Sequence, residues 1–189
     1  MLSAPRNLSL LNQKLRLPIK LNNRTAKIVV NALGFQLIWT VSVLFGDLWA
    51  VVVTLSYVLL HHFMLVENSS EWVLVAFVTL IGSSTDTVFE KLGVFEFATT
   101  AVWVPLWLVC LWLGFATTLK HALAWLQNKL ILASALGAIA GPFSYYAGAQ
   151  LSGVELAHPL WQTLLILSMW WACLMPIAMR FARTNYETK

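Results

Sequence analysis

Within one apolar run, the segment GSSTDTVFE sets Asp86 and Glu90 four residues apart, on one helical face with Ser83. An ionised carboxylate in hydrocarbon costs several kcal/mol unless it is hydrogen-bonded, hydrated or kept protonated. Asp86 is therefore the first candidate for a ligand-binding or proton-transfer role, and its rival role is an acid that ties two helices together. Glu90, closer to the end of the run, reads as interfacial. A second run, LGAIAGPFSYYAGAQL at 136–151, carries two adjacent hydroxyls, Tyr145 and Tyr146. Counting about 1.5 Å per residue from the start of each run puts Asp86 roughly 21 Å along and Tyr145 about 22 Å along, so the two share a level. The expected ligand-binding set is Asp86, Ser83, Tyr145, Tyr146 and Glu90.

A second group of polar residues falls near the opposite, cytoplasmic surface: Asn31, His61, His62, Thr117 and His121, with Gln36 and Lys120 close by. His121 and Asp86 are the candidates for catalytic proton transfer. Three histidines and an acid such as Glu67 have the donor types of a metal site, but no HxxxH or Glu-x-x-His pair lies within one helix. No metal and no cofactor is therefore expected, and interfacial histidines beside a snorkelling Lys120 account for the group. Gly-rich phosphate loops, a G-x-S-x-G elbow and zincin spacings are absent, which disfavours nucleotide and serine hydrolysis.

The elements that must position these residues are membrane helices. With 59% hydrophobic and only 11% charged residues, the chain has too little polar surface for a soluble domain. A net charge of +4 does not indicate nucleic acid, because the basic residues sit outside the apolar runs and no recognition motif is present. Six apolar runs, 28–46, 48–66, 72–89, 101–120, 130–150 and 159–179, each approach the roughly 20 residues needed to cross a bilayer. An all-α bundle of six transmembrane helices follows, occupying 27–180 between a basic tail at 1–26 and a short tail at 181–189. Every Lys and Arg except Lys91 then falls on one side, so the positive-inside rule puts both termini in the cytoplasm. The tail, basic and free of acid, with leucines at 8, 11 and 15, suits a loose cytoplasmic segment, an interfacial helix or a targeting presequence. Cys110 and Cys173 lie deep in apolar runs and read as small buried hydrophobes.

Run five is unusual. Ala133, Gly137, Gly141, Ser144 and Gly148 stack on one face and permit close helix approach, while Pro142 removes the hydrogen bond to the carbonyl of Ala138. Trp112, Trp170 and Trp171 are deep enough to line a cavity, whereas Trp72, Trp103, Trp107, Trp125 and Trp161 fit interfacial belts.

The segments at 105–126 (PLWLVCLWLGFATTLKHALAWL) and 136–151, with NALGFQLIW of the first run and Asp86, resemble a family of small bacterial inner-membrane proteins known as a domain of unknown function. The resemblance covers 31–180, and His121, Asp86, Pro142 and Tyr145 correspond directly. Lys120 departs from the family pattern, in which Asn or a similar polar residue often precedes the histidine. The resemblance implies a multi-pass protein of the bacterial inner membrane. Genes of the family often lie near those of fatty-acyl-modifying enzymes, which implies membrane-lipid metabolism or a role in envelope stress. Three readings result: a protein that shelters a small amphipathic or lipidic ligand, a lipid-modifying enzyme, and a non-catalytic scaffold. Membrane lipids are the expected partners, and a homo-oligomer or a membrane-enzyme partner is compatible with so small a bundle.

Overall fold

The computed structural model describes residues 23–97 and 102–184. Residues 1–22 of the expected basic tail (1–26), residues 98–101, and residues 185–189 of the expected C-terminal tail (181–189) lie outside the described residues, whereas 24–26 and 181–184 are helical. The first element, α1 (Arg24–Met64), is 41 residues long and opens on Asn23, whose side chain accepts the Thr25 N–H. A straight helix of that length would run about 60 Å. Instead Gly46, at φ 71° and ψ −163°, breaks the helical backbone, a geometry that an L side chain would strain. The chain doubles back there, because Asn31 reaches the Tyr57 hydroxyl at 2.8 Å and Lys27 pairs with Glu67 at 2.5 Å. Residues 24–45 and 47–64 are thus two arms of a helical hairpin, packed closely where Gly34 meets the Tyr57 ring.

Helix α2 (Glu71–Lys91) ends on Gly93, whose φ of 70° turns the chain into a two-residue strand, β1 (Phe95–Glu96). Helix α3 (Leu106–Thr118) has 13 residues, about 20 Å, and is followed by turns and a short 3₁₀ segment, Ala124–Leu126. The expected fourth span of 101–120 is thus shortened at both ends. Pro105, with φ −55° and ψ 150°, occupies the cap position in extended geometry, so the helix starts only after it. Helix α4 (Leu130–Ser152), the strand β2 (Glu155–Leu156) and helix α5 (Leu160–Thr184) complete the described chain. Strands β1 and β2 pair antiparallel, Phe95 with Leu156 and Glu96 with Glu155, and form a small ribbon at one end of an otherwise all-α bundle.

Among the described residues, four helices are long and apolar enough to cross a membrane: α1, α2, α4 and α5. The distribution of side chains agrees with lipid as the outer solvent. Leu33, Leu80, Ile131, Ile139 and Phe143 are exposed, while Asn31, His61, Glu71 and Asp86 are buried. The chain is in this sense a membrane protein, with its polar groups turned inward. Cys110 is buried but Cys173 is exposed, which corrects the expectation for the second cysteine: its position on α5 faces outward.

Helices α4 and α5 run antiparallel, and each contains a proline, Pro142 and Pro176. Each proline lacks the N–H that would bond the carbonyl four residues earlier, leaving those of Ala138 and Ala172 free. Ser168 of α5 donates to the Ala138 carbonyl at 2.8 Å, and Ser134 of α4 donates to the Ala172 carbonyl at 2.8 Å. The two helices thus satisfy each other's proline defects. Close approach is needed for this, and Gly137 and Gly141 provide it: a Cβ on Gly137 would lie 2.6 Å from the Trp171 carbonyl oxygen, and one on Gly141 would lie 2.2 Å from the Trp171 ring. Ser134→Ala and Ser168→Ala are each expected to cost about 0.6 to 1.7 kcal/mol of stability. Unfolding in detergent micelles measures this against Ser56→Ala, where the hydroxyl bonds only the Val52 carbonyl of its own helix. Equal stability of Ser168→Ala and Ser56→Ala would exclude the cross-bracing.

Candidate functional site

Asp86 is fully buried on α2, one turn beyond Gly82. The absence of a side chain at Gly82 admits the indole of Trp112, since a Cβ there would lie 2.1 Å from that ring. Trp112 then donates its Nε1–H to Asp86 Oδ2 at 2.6 Å, and the Tyr145 hydroxyl donates to Oδ1 at 2.6 Å. One strong donor serves each carboxylate oxygen. Trp112 stacks on Trp171, with ring centroids 5.2 Å apart and planes 8° from parallel, and Trp171 rests on Gly141. Two glycines on different helices therefore enclose a pair of stacked indoles, and this sandwich holds one of the two donors on the acid.

The other expected members of the set are placed differently. Ser83 is buried beside Asp86, and its Oγ has no hydrogen-bond partner among the described residues. Glu90 pairs with Lys91 at 3.1 Å near the end of α2, while Tyr146 is exposed on α4. Of the two tyrosines, Tyr145 is the one that reaches the acid.

A cavity of about 530 Å³ lies between the first arm of α1, α3 and α4, with Trp171 and Met175 of α5 at its back. That volume is within the range of small-molecule pockets. Trp112 and Tyr145 form part of its wall, together with Phe35, Trp39 and Trp107. One end meets the ribbon at Phe95 and Leu156, and the other meets Leu123 and Leu126 after α3. Polar groups are sparse on this wall; the Ser144 hydroxyl accepts the Trp39 indole N–H at 3.0 Å. Ala32 and Gln36 on the first arm and Leu136 and Ala140 on α4 line the cavity yet are exposed, so it opens sideways between these two helices.

At the far end from the ribbon, Asn31, Tyr57, His61, Glu71 and His121 form one hydrogen-bonded network. Asn31 Oδ1 accepts the Ala122 N–H at 3.1 Å, and its Nδ2 donates to the Tyr57 hydroxyl at 2.8 Å. The hydroxyl lies 3.3 Å from His61 Nδ1. His61 Nε2 and His121 Nε2 both converge on Glu71 Oε1, at 2.7 Å and 2.9 Å. Asn31 Nδ2 also lies 3.3 Å from the Thr117 carbonyl oxygen, which ties in α3. His62 is exposed and outside the network, and Glu67 pairs with Lys27. Lys120, in the turn after α3, has its amine pushed below the usual lysine value by burial, opposed in part by the charge of Glu71.

Sequence reasoning missed Glu71 and Asp47. Glu71 sits in a connecting segment by hydropathy, yet it heads α2, where a negative charge complements the helix N-terminus. Asp47 looks like a lone turn residue, but its Oδ1 accepts the Trp107 N–H at 2.9 Å. It thereby caps α3 from sixty residues away, in place of the cap that Pro105 does not supply.

The geometry at Asp86 makes a stability contrast. Tyr145→Phe and Trp112→Phe each strip one donor from a buried carboxylate oxygen and are expected to cost about 1 to 3 kcal/mol. Tyr146→Phe, on the exposed neighbour, should remain near wild type in the same micelle unfolding measurement. A Tyr145→Phe protein as stable as Tyr146→Phe would mean that the acid does not depend on its tyrosine donor.

Residues 28–177 match the model of a family described as "Protein of unknown function (DUF2878)". Among curated proteins and solved structures, no match is found. The match spans most of the chain, including Asp86, Tyr145 and the histidine network, and the protein therefore belongs to the DUF2878 family.

Proposed function

We propose that this protein crosses the bacterial inner membrane six times with both termini in the cytoplasm, and that its lateral cavity shelters the apolar portion of a lipidic or amphipathic ligand. The topology draws support from where the connections fall. The start of α1, the α1–α2 link and the turns between α3 and α4 gather at the histidine network; Gly46, Asp47 and the ribbon gather at the other end. Lys120 and Lys129 belong to the first end and Lys91 to the second, the charge asymmetry expected of a cytoplasmic and an outer face. The six crossings would comprise the two arms of α1 and helices α2 to α5.

The observation that carries the ligand reading is the cavity. It is walled by aromatic rings, opens between two lipid-facing helices, and offers few polar atoms, so it favours a neutral chain over a charged solute. Its partners would be membrane lipids, and a role in membrane-lipid metabolism follows from that ligand class. A lipid-modifying enzyme is the second reading, resting on Asp86 beside the cavity. Asp86 stands behind Trp112 and Tyr145, with both oxygens already occupied by their donors, which favours a carboxylate that fixes the wall over one that reacts. A scaffold reading has no use for a cavity of this volume.

Gly148 lines the cavity, and a Cβ there would meet nothing closer than Val43 at 3.9 Å, so a larger side chain can occupy the space. Full-length protein in nanodiscs, exposed to a fatty-acyl probe bearing a diazirine on its chain, is expected to be labelled on cavity residues such as Trp39 and Trp107. Gly148→Phe should abolish that labelling, whereas Ile139→Phe, on the outer face of α4, should leave it unchanged. Labelling of the cavity that survives Gly148→Phe, or labelling confined to outer-face residues, would sink the ligand reading.

A further inference from the structure

The network around Glu71 joins segments far apart in sequence, and its centre is two imidazoles aimed at one carboxylate. His61 is at the end of the second arm of α1, Glu71 at the first turn of α2, and His121 in the turn after α3. One ligand-type atom from each lies within 4.8 Å of the others. The imidazole rings stand nearly perpendicular, at 89° with centroids 4.9 Å apart, so that their Nε2 edges approach a common point from different directions. The side chains of His61 and Glu71 are 0% and 5% exposed, and that of His121 is 10% exposed, which makes a closed site with its least covered side at His121.

We propose that His61, Glu71 and His121 form a binding site for a divalent transition-metal ion of the zinc class, held through the two Nε2 atoms and the Glu71 carboxylate. Two imidazoles and one carboxylate form a donor set suited to such an ion and not to calcium or magnesium, which take oxygen ligands. The present Nε2 to Oε1 separations of 2.7 and 2.9 Å are hydrogen-bond distances. Donors bonded to zinc at about 2.0 to 2.1 Å in tetrahedral geometry stand about 3.3 Å apart, so on loading each Nε2 draws back from Glu71 Oε1 by roughly half an ångström while the three donor atoms, now within 4.8 Å of one another, adjust to that spacing.

The surroundings already hold the second half of such a site. A metal-bound imidazole carries its proton on the other nitrogen and donates it to a fixed acceptor. His61 Nδ1 faces the Tyr57 hydroxyl at 3.3 Å, and that hydroxyl is held by Asn31. Changing the His61 tautomer from Nε2–H to Nδ1–H releases Nε2 for the ion and reverses the bond to Tyr57. Hydrogen bonding among the three residues also satisfies them without an ion; the support of His61 Nδ1 by Tyr57 and Asn31 is the added part that a metal ligand needs. The site is distinct from the cavity, so the two readings stand or fall separately.

The test uses the full chain, purified in detergent through a tag free of histidine, stripped with a chelator, loaded with Zn²⁺ and desalted. Elemental mass spectrometry is expected to find Zn²⁺ retained stoichiometrically by wild type and by His62→Ala, the exposed neighbour. Retention should be lost in Glu71→Gln and in His121→Gln, and Tyr57→Phe should weaken affinity about tenfold through the lost contact to His61 Nδ1. Co²⁺ loaded into wild type should give the visible absorption of a nitrogen and oxygen site of low coordination number, and this readout stands even where a ligand variant fails to fold. Wild type that retains no Zn²⁺ and gives no such Co²⁺ spectrum would overturn the site, as would retention unchanged in Glu71→Gln and His121→Gln.

Discussion

The structure depends on a rule that lipid imposes: a backbone carbonyl released inside hydrocarbon must find a donor, and water cannot supply it. Pro142 and Pro176 release two such carbonyls, and the serine on the facing helix answers each one. Both bonds require α4 and α5 to lie nearly in backbone contact, which only small residues at Gly137 and Gly141 allow. Once that distance is set, Trp171 has one place to go, over Gly141. Trp112 stacks on it against Gly82, and the indole N–H of Trp112 is brought to Asp86. The buried acid is thus the last member of a series that begins with two prolines.

The two polar centres meet the same cost in different ways. Each Asp86 oxygen takes one neutral donor, an indole and a phenol, neither of which adds charge at neutral pH. Glu71 is met by imidazoles, which can change tautomer, accept a proton or give up a nitrogen to a metal ion. The chemistry of the first centre favours a fixed wall, and that of the second favours exchange. Their positions agree with this division: the first lies about three quarters of the way along α2 behind the cavity, the second at the helix ends, where His121 retains some exposure.

Much of the framework was legible from residue types. Asp86 and Tyr145 could be assigned one level because a helix advances by a constant rise, and the prediction needed no knowledge of which helices touch. The proline defect at Ala138 was legible too, but its partner was not, since nothing local to Ser168 marks it as a donor to another helix. Hydropathy marked the break between the first two runs, and Gly46 supplies its geometry. It also extended the fourth run beyond α3, because Val102 to Val104 are apolar without being helical and hydropathy does not register the restraint at Pro105. Glu71 was overlooked for a related reason. Spacing within one helix does not mark a cluster whose three side chains come from separate segments, and only the tertiary fold brings His61 and His121 to the same oxygen.

The cavity and the histidine network also share a boundary. Ala122 lines the inner end of the cavity, and its N–H is the donor to Asn31 Oδ1. Asn31 in turn fixes the Tyr57 hydroxyl that faces His61. A chain filling the proposed ligand cavity from the ribbon to Leu126 would abut Ala122. The connection from Ala122 to Tyr57 is two hydrogen bonds through Asn31. Asn31 is completely buried, with Thr117 also against it, so it has little room to yield without turning its amide away from Tyr57. Ala122 therefore belongs to both regions, as cavity wall and as the donor that anchors Asn31.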